Sequence, residues 1–132
     1  MVVLTPAAVQ VHPQDVNDIR EGGYMDSGKV LIMTTASSFD EASEISRLLL
    51  EKQLAACCSI IQNVQSAYWW KGKIVEDAEV ILLIKSLKSV EQKIIEAIKF
   101  AHSYEVPEII CIPIIGGYKP YFEWIDNTIS RK

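Results

Sequence analysis

Cysteine, histidine and arginine are scarce in this chain of 132 residues, and no long apolar run occurs. The three cysteines, Cys57, Cys58 and Cys111, are odd in number and lack CxxC spacing. That excludes a disulfide framework and a structural zinc site of the usual kind. Cys57 and Cys58 are neighbours, so on a strand they face opposite ways and do not bridge each other. A reducing, cytoplasmic compartment is expected. The arginines are Arg20, Arg47 and Arg131, and the histidines are His12 and His102. GxSxG, HExxH and P-loop patterns are missing, so a catalytic role is not expected. The formal net charge of −4 gives no reason to expect nucleic acid or an acidic membrane surface as a partner. No segment approaches the ~20 apolar residues that span a bilayer. The opening Met1-Val2-Val3-Leu4-Thr5-Pro6 has no basic region ahead of its short apolar stretch, unlike a secretory signal.

What is present is an ordinary globular composition, 49% apolar, of a length that suits one domain. Residues 1–28 carry Pro6, Pro13, Gly22, Gly23 and Gly28 among polar residues without a sustained period, and read as a loosely ordered arm. The domain is expected over 29–132. Val30-Leu31-Ile32-Met33 is a short apolar run of the buried-strand kind. Ser38 and Glu41 form a capping box ahead of a helix with Ala42, Ile45, Leu48 and Leu49 on one face, ending near Gln53. Leu54 to Ile61 begins a second strand that continues to Tyr68-Trp69-Trp70. Lys71-Gly72-Lys73 turns the chain, with Gly72 available for positive φ, and Ile74-Val75 and Val80 to Ile84 return. Ser89 with Gln92 offers a second cap, before a helix bearing Val90, Ile94, Ala97, Ile98 and Ala101. Ile109 to Ile112 forms a fourth strand, interrupted by Pro113, which points to a sheet edge or a bulge. Pro120 opens a last helix with Phe122, Ile125 and Ile129 on one side.

The order β-α-β-β-α-β with a terminal helix predicts an α+β fold, a ferredoxin-like antiparallel sandwich in which both helices cover one face of a four-stranded sheet. The second and fourth strands fall at the edges. The other face and the edges need cover, so an oligomer is expected.

These segments carry a family resemblance. Tyr68-Trp69-Trp70-Lys71-Gly72-Lys73-Ile74, Leu54-Ala55-Ala56-Cys57, His102-Ser103-Tyr104-Glu105-Val106-Pro107-Glu108 and Tyr121-Phe122-Glu123-Trp124 resemble, in this order, four motifs of the CutA family of divalent-cation tolerance proteins. The resemblance spans about residues 30–132 and implies a homotrimer of the ferredoxin-like fold. It implies a part in divalent metal response, copper above all, with no obligatory cofactor. Two positions depart from the pattern. Thr34 stands where some members end the first strand in a cysteine, and a His-Pro-Tyr stretch reads His102-Ser103-Tyr104.

His102 and Glu108 are the metal candidates, because imidazole and carboxylate suit copper or another divalent cation. Two ligands from one chain bind weakly, so a third must come from a neighbouring subunit or water. The competing reading has His102 ending the second helix and interacting with its last carbonyls. The cysteines read as small buried residues of strands. Tyr68, Trp69 and Trp70 are expected at a subunit contact or a stacked ligand. Tyr104, Tyr121 and Trp124, with Tyr118, are expected around the same intersubunit cleft as His102, which would be the default site for a small ligand.

Two other functions are weighed on fold analogy alone. A sensor like the PII-type nitrogen regulators needs a flexible, basic loop at the phosphates, and the hairpin here has none. An acylphosphatase needs an arginine in a phosphate cradle after the first strand, and Thr34 to Asp40 holds neither arginine nor glycine. A trimeric scaffold for a protein partner stays open.

Overall fold

The computed structural model describes residues 26–129. The arm expected over residues 1–28 therefore lies, as far as residue 25, outside the described residues. Along the chain come β1 (Lys29–Ala36), α1 (Phe39–Glu51), β2 (Cys57–Trp70), β3 (Lys73–Leu87), a 3-10 turn (Lys88–Val90), α2 (Glu91–Ala101), β4 (Ile109–Ile114) and α3 (Lys119–Ile129). The sheet order is β2-β3-β1-β4, with every neighbouring pair antiparallel. Pro113 lies in β4 opposite Val30, and an edge strand tolerates its missing N–H.

Local chemistry sets the ends of α1. Ser38, in extended backbone, accepts the Glu41 N–H at 3.1 Å. Glu41 does not reach back to Ser38 as in a reciprocal capping box; its carboxylate takes the Ser37 N–H at 3.0 Å instead. At the other end the Gln53 N–H donates to Leu50 and the Leu54 N–H to Leu49, the Schellman pattern, with Gln53 in the left-handed region at φ 56°. The cap expected from Ser89 does not form. Ser89 sits inside the 3-10 turn, and Val90 takes the N-cap position of α2 with no side-chain cap bond. Val90 packs instead against the apolar clusters beneath α2 and α3, so packing replaces the cap.

Alternation along the strands divides the sheet into two faces. Val30, Ile32, Leu82 and Ile84 meet Ile45, Leu49, Ile94 and Ile98 from α1 and α2 in the main core. On the opposite face Leu31, Met33, Ile81 and Leu83 are half-buried, while Ile61, Ile110 and Ile112 are 40–45% exposed. Among the described residues helix α3 covers one end of that face, where Ile125 and Ile129 close over Ala56 and pack with Leu87. There the Lys29 ammonium is buried, 3.0 Å from the Asp126 carboxylate and 5.4 Å from the centre of the Phe122 ring.

β2 and β3 run on beyond the body as a two-stranded arm. β3 pairs with β1 only over Val80–Leu87, and over Lys73–Glu79 its partner is β2. Lys71 and Gly72 turn the tip at φ 50° and 75°, as a two-residue type I′ turn requires. Ile61 faces Ile81 and Val64 faces Glu79, so Gln62 and Asn63 together oppose Val80. This is a β-bulge, and Asn63, at φ 62°, is a residue that tolerates the left-handed region.

Candidate functional site

His102 ends α2 and swings its imidazole to the C-terminal end of β1, where the side chain is fully buried. Nε2 lies 2.7 Å from the Thr35 carbonyl oxygen, and Nδ1 lies 3.0 Å from the Tyr104 backbone N–H. A carbonyl only accepts and an amide N–H only donates, so this pair selects the neutral ring protonated on Nε2. Neither nitrogen keeps a lone pair for a metal. The imidazole thus meets a carbonyl, as in the competing reading above, but that carbonyl belongs to β1 and not to its own helix.

Glu41 reinforces the same junction. Its carboxylate accepts the Ser103 N–H at 2.8 Å and the Ser37 hydroxyl at 3.1 Å, with Nδ1 of His102 at 3.9 Å. Partial burial pushes its pKa up, but the hydrogen bonds from Ser103 and Ser37 outweigh this and bring it down to about 2.

Anchored in this way, the segment after α2 faces the arm across a groove of about 640 Å³. Tyr68 and Trp70 line it from β2, Glu79 from β3 and Thr35 from β1. Tyr104, Glu105, Val106 and Glu108 close the far side. The Tyr104 hydroxyl donates to Glu79 at 2.9 Å, and the Tyr68 hydroxyl donates to Asp77. Burial, with Glu79 beside it, holds the Tyr104 phenol far above its usual range. The hydrogen bond to Asp77 likewise raises that of Tyr68. At the tip the Lys71 ammonium lies 5.9 Å from the centre of the Trp70 ring.

Of the residues singled out in the sequence, Tyr68, Trp70, Tyr104 and Glu108 meet at this groove. Trp69 is not among its lining residues; alternation puts it on the other side of the arm, 72% exposed, opposite Ile74. Tyr121 and Trp124 stack on each other in α3, 5.5 Å between ring centres, and with Tyr118 stay out of the groove lining. Thr34 is buried, and its neighbour Thr35 reaches the groove. Sequence reading did not single out Glu79 or Glu105 for the site and gave Glu41 a capping role alone. The spacing of Asp77 and Glu79, two acids on one face of a returning strand, was the available signal.

The thiols divide as adjacency requires. Cys58 packs into the main core and Cys57 lies by Lys85, whose ammonium is 3.8 Å from the sulfur and 2.6 Å from the Ser59 hydroxyl. Burial pushes the Cys58 thiol up, and burial with Glu91 nearby pushes Cys111 up to about 11. Among the described residues no group of three histidine, cysteine, aspartate or glutamate side chains stands where it would hold a metal ion. No helix among them is long and apolar enough to cross a membrane.

Comparison with known proteins bears on this architecture. The family model for the CutA1 divalent ion tolerance protein matches residues 30–128. The mouse protein CutA is 39% identical over 106 residues, 80% of this chain and 60% of the mouse protein. The divalent-cation tolerance protein CutA of Thermus thermophilus is 38% identical over 99 residues, 74% of this chain and 96% of that protein. The crystal structure of CutA1 from Oryza sativa superposes with a TM-score of 0.76 at 34% identity, covering 79% of this chain and 95% of that one. The chain spans rather more than half the length of the plant and mammalian relatives it matches. Some plant relatives are named as chloroplastic. With its helix-covered antiparallel sheet and its match over residues 30–128, the chain belongs to the family of CutA1 divalent ion tolerance proteins.

Proposed function

We propose that this chain is a homotrimeric, non-catalytic binding protein of divalent-cation response, cytoplasmic, with a ferredoxin-like subunit whose groove beside Tyr104 is the ligand site. One observation carries the assembly: among the described residues the second sheet face sets Ile61, Ile110 and Ile112 at 40–45% exposure beside half-buried Leu31, Met33, Ile81 and Leu83. A continuous apolar surface of this kind is usually an interface. The arm, beside which no third strand lies among the described residues, would reach across to a neighbouring subunit, so that the groove along Tyr68 and Trp70 opens beside the contact.

Copper or another divalent cation binds weakly in this reading. Glu108 offers an exposed carboxylate at the groove, but His102 would have to give up Thr35 or Tyr104 to serve as its partner. Further ligands would come from another subunit or from water. The test is a competition titration of Cu(II) and Cu(I) against a chelator, beside His102→Ala and Glu108→Ala, together with sedimentation equilibrium. Binding lost in Glu108→Ala and a trimer mass support the reading. A monomer at micromolar concentration, or binding indifferent to Glu108, refutes it.

A second reading, a trimeric scaffold for a protein partner, is favoured by Trp69 and Ile74, paired and 72% and 65% exposed on the back of the arm. A PII-like nucleotide sensor has less support, because carboxylates in the groove repel phosphates.

A further inference from the structure

We propose that the groove between the arm and the segment after α2 takes an organic cation, a small aliphatic amine carrying more than one ammonium group. This deepens the reading of that groove as the ligand site and rests on it. The volume, about 640 Å³, falls within the range that holds small molecules. Its walls combine two independent attractions for such a ligand.

The first is aromatic. Tyr68, Trp70 and Tyr104 line the groove, and ring faces attract ammonium groups, tryptophan most strongly. Trp70 is 60% exposed, and Lys71 already holds an ammonium near that ring. The second is charge. Glu79, Glu105 and Glu108 line the groove, and among the described residues no lysine, arginine or histidine does.

The arrangement distinguishes an organic from an inorganic cation. A hard divalent ion needs several oxygens converging at ~2.0–2.6 Å. Here Glu79 already accepts a phenol hydroxyl, and among the described residues no three ligating groups converge. An amine with an apolar stem has no such need. It can place separate ammonium groups on dispersed carboxylates while its methylenes lie against Ala67 and Val106, which also line the groove.

The experiment titrates the assembled, full-length protein with 1,5-diaminopentane and, in parallel, with pentane-1,5-diol, its uncharged analogue, at constant ionic strength. Backbone amide shifts report the site. The expected result is saturable shifts at residues 66–70 and 104–108 for the diamine and none for the diol. Glu105→Gln with Glu108→Gln, both at exposed positions, weakens diamine binding about tenfold or more. Equal shifts from diol and diamine, or diamine binding unchanged by the two substitutions, overturn the cation assignment and leave the groove standing as a ligand site. No shift there with either compound overturns both.

Discussion

The Glu41 carboxylate and the Ser103 N–H meet at 2.8 Å, joining the first turn of α1 to the residue that follows His102. Helix cap and groove wall thereby share one side chain, so a disturbance of the cap reaches the groove.

A pH dependence follows. Glu41 has its carboxyl lowered from 4.5 to about 2 in the folded chain. A lowered value contributes stability that is fully present above the unfolded value, near 4.5, and is lost as pH falls through about 2. Discounted for solvent screening at a partly accessible site, the contribution is about 1–2 kcal/mol. Glu41→Gln is expected to lose it at pH 7 and to match the parent near pH 2, as read by urea denaturation at both pH values. An equal deficit at both would contradict the assignment.

Gly117 is held by contact. A Cβ there would stand 2.7 Å from Cζ of Phe122, a ring of α3 that packs on the Ala56, Ile125 and Ile129 cluster and faces Lys29. Gly117→Ala is expected to destabilise by about 1–3 kcal/mol through overpacking. Adding Phe122→Leu should recover part of that loss, which a double-mutant cycle in guanidinium would register.

Gln53 occupies the left-handed position of the Schellman motif without being glycine. Gln53→Gly removes the Cβ strain and is expected to raise stability by up to about 1 kcal/mol, set against the greater freedom of glycine in the unfolded chain. A lower denaturation midpoint would show that the Gln53 side chain makes a stabilising contact.

Cys111 carries a thiol raised from 9.0 to about 11, so at pH 8 its thiolate fraction is about a hundredfold below that of a thiol at the ordinary value. Alkylation of native protein followed by peptide mass mapping should find Cys111 slow, and fast only after denaturation. Rapid native labelling would count against this environment.

Much of the scaffold was legible because its signals are local. The apolar run of β1, the 3.6-residue spacing of Ala42, Ile45 and Leu49, and Gly72 at the turn each depend on near neighbours. Pro113 on an edge strand was readable for the same reason. The Ser89 cap was misread because capping residues also suit a 3-10 turn, and packing of Val90 decided between them. The groove was harder to see. His102 is fixed by a carbonyl 67 positions away and Tyr104 by a carboxylate 25 positions away, contacts that no spacing rule expresses. The side to which the arm's aromatics turn was also hidden, because strict alternation from Cys57 would have put Trp69, not Tyr68 and Trp70, on the groove side.

The extra residue in β2 accounts for that shift and has a mechanical meaning. Removing Gln62 would leave Asn63 alone opposite Val80 while Val64 kept Glu79 and Tyr68 kept Val75. The side chains offered by the arm would be unchanged, and the bend that a bulge imposes would be gone. What the arm displays and where it is aimed are therefore written in different residues, and a single-residue deletion could redirect its reach without altering its cargo of aromatics.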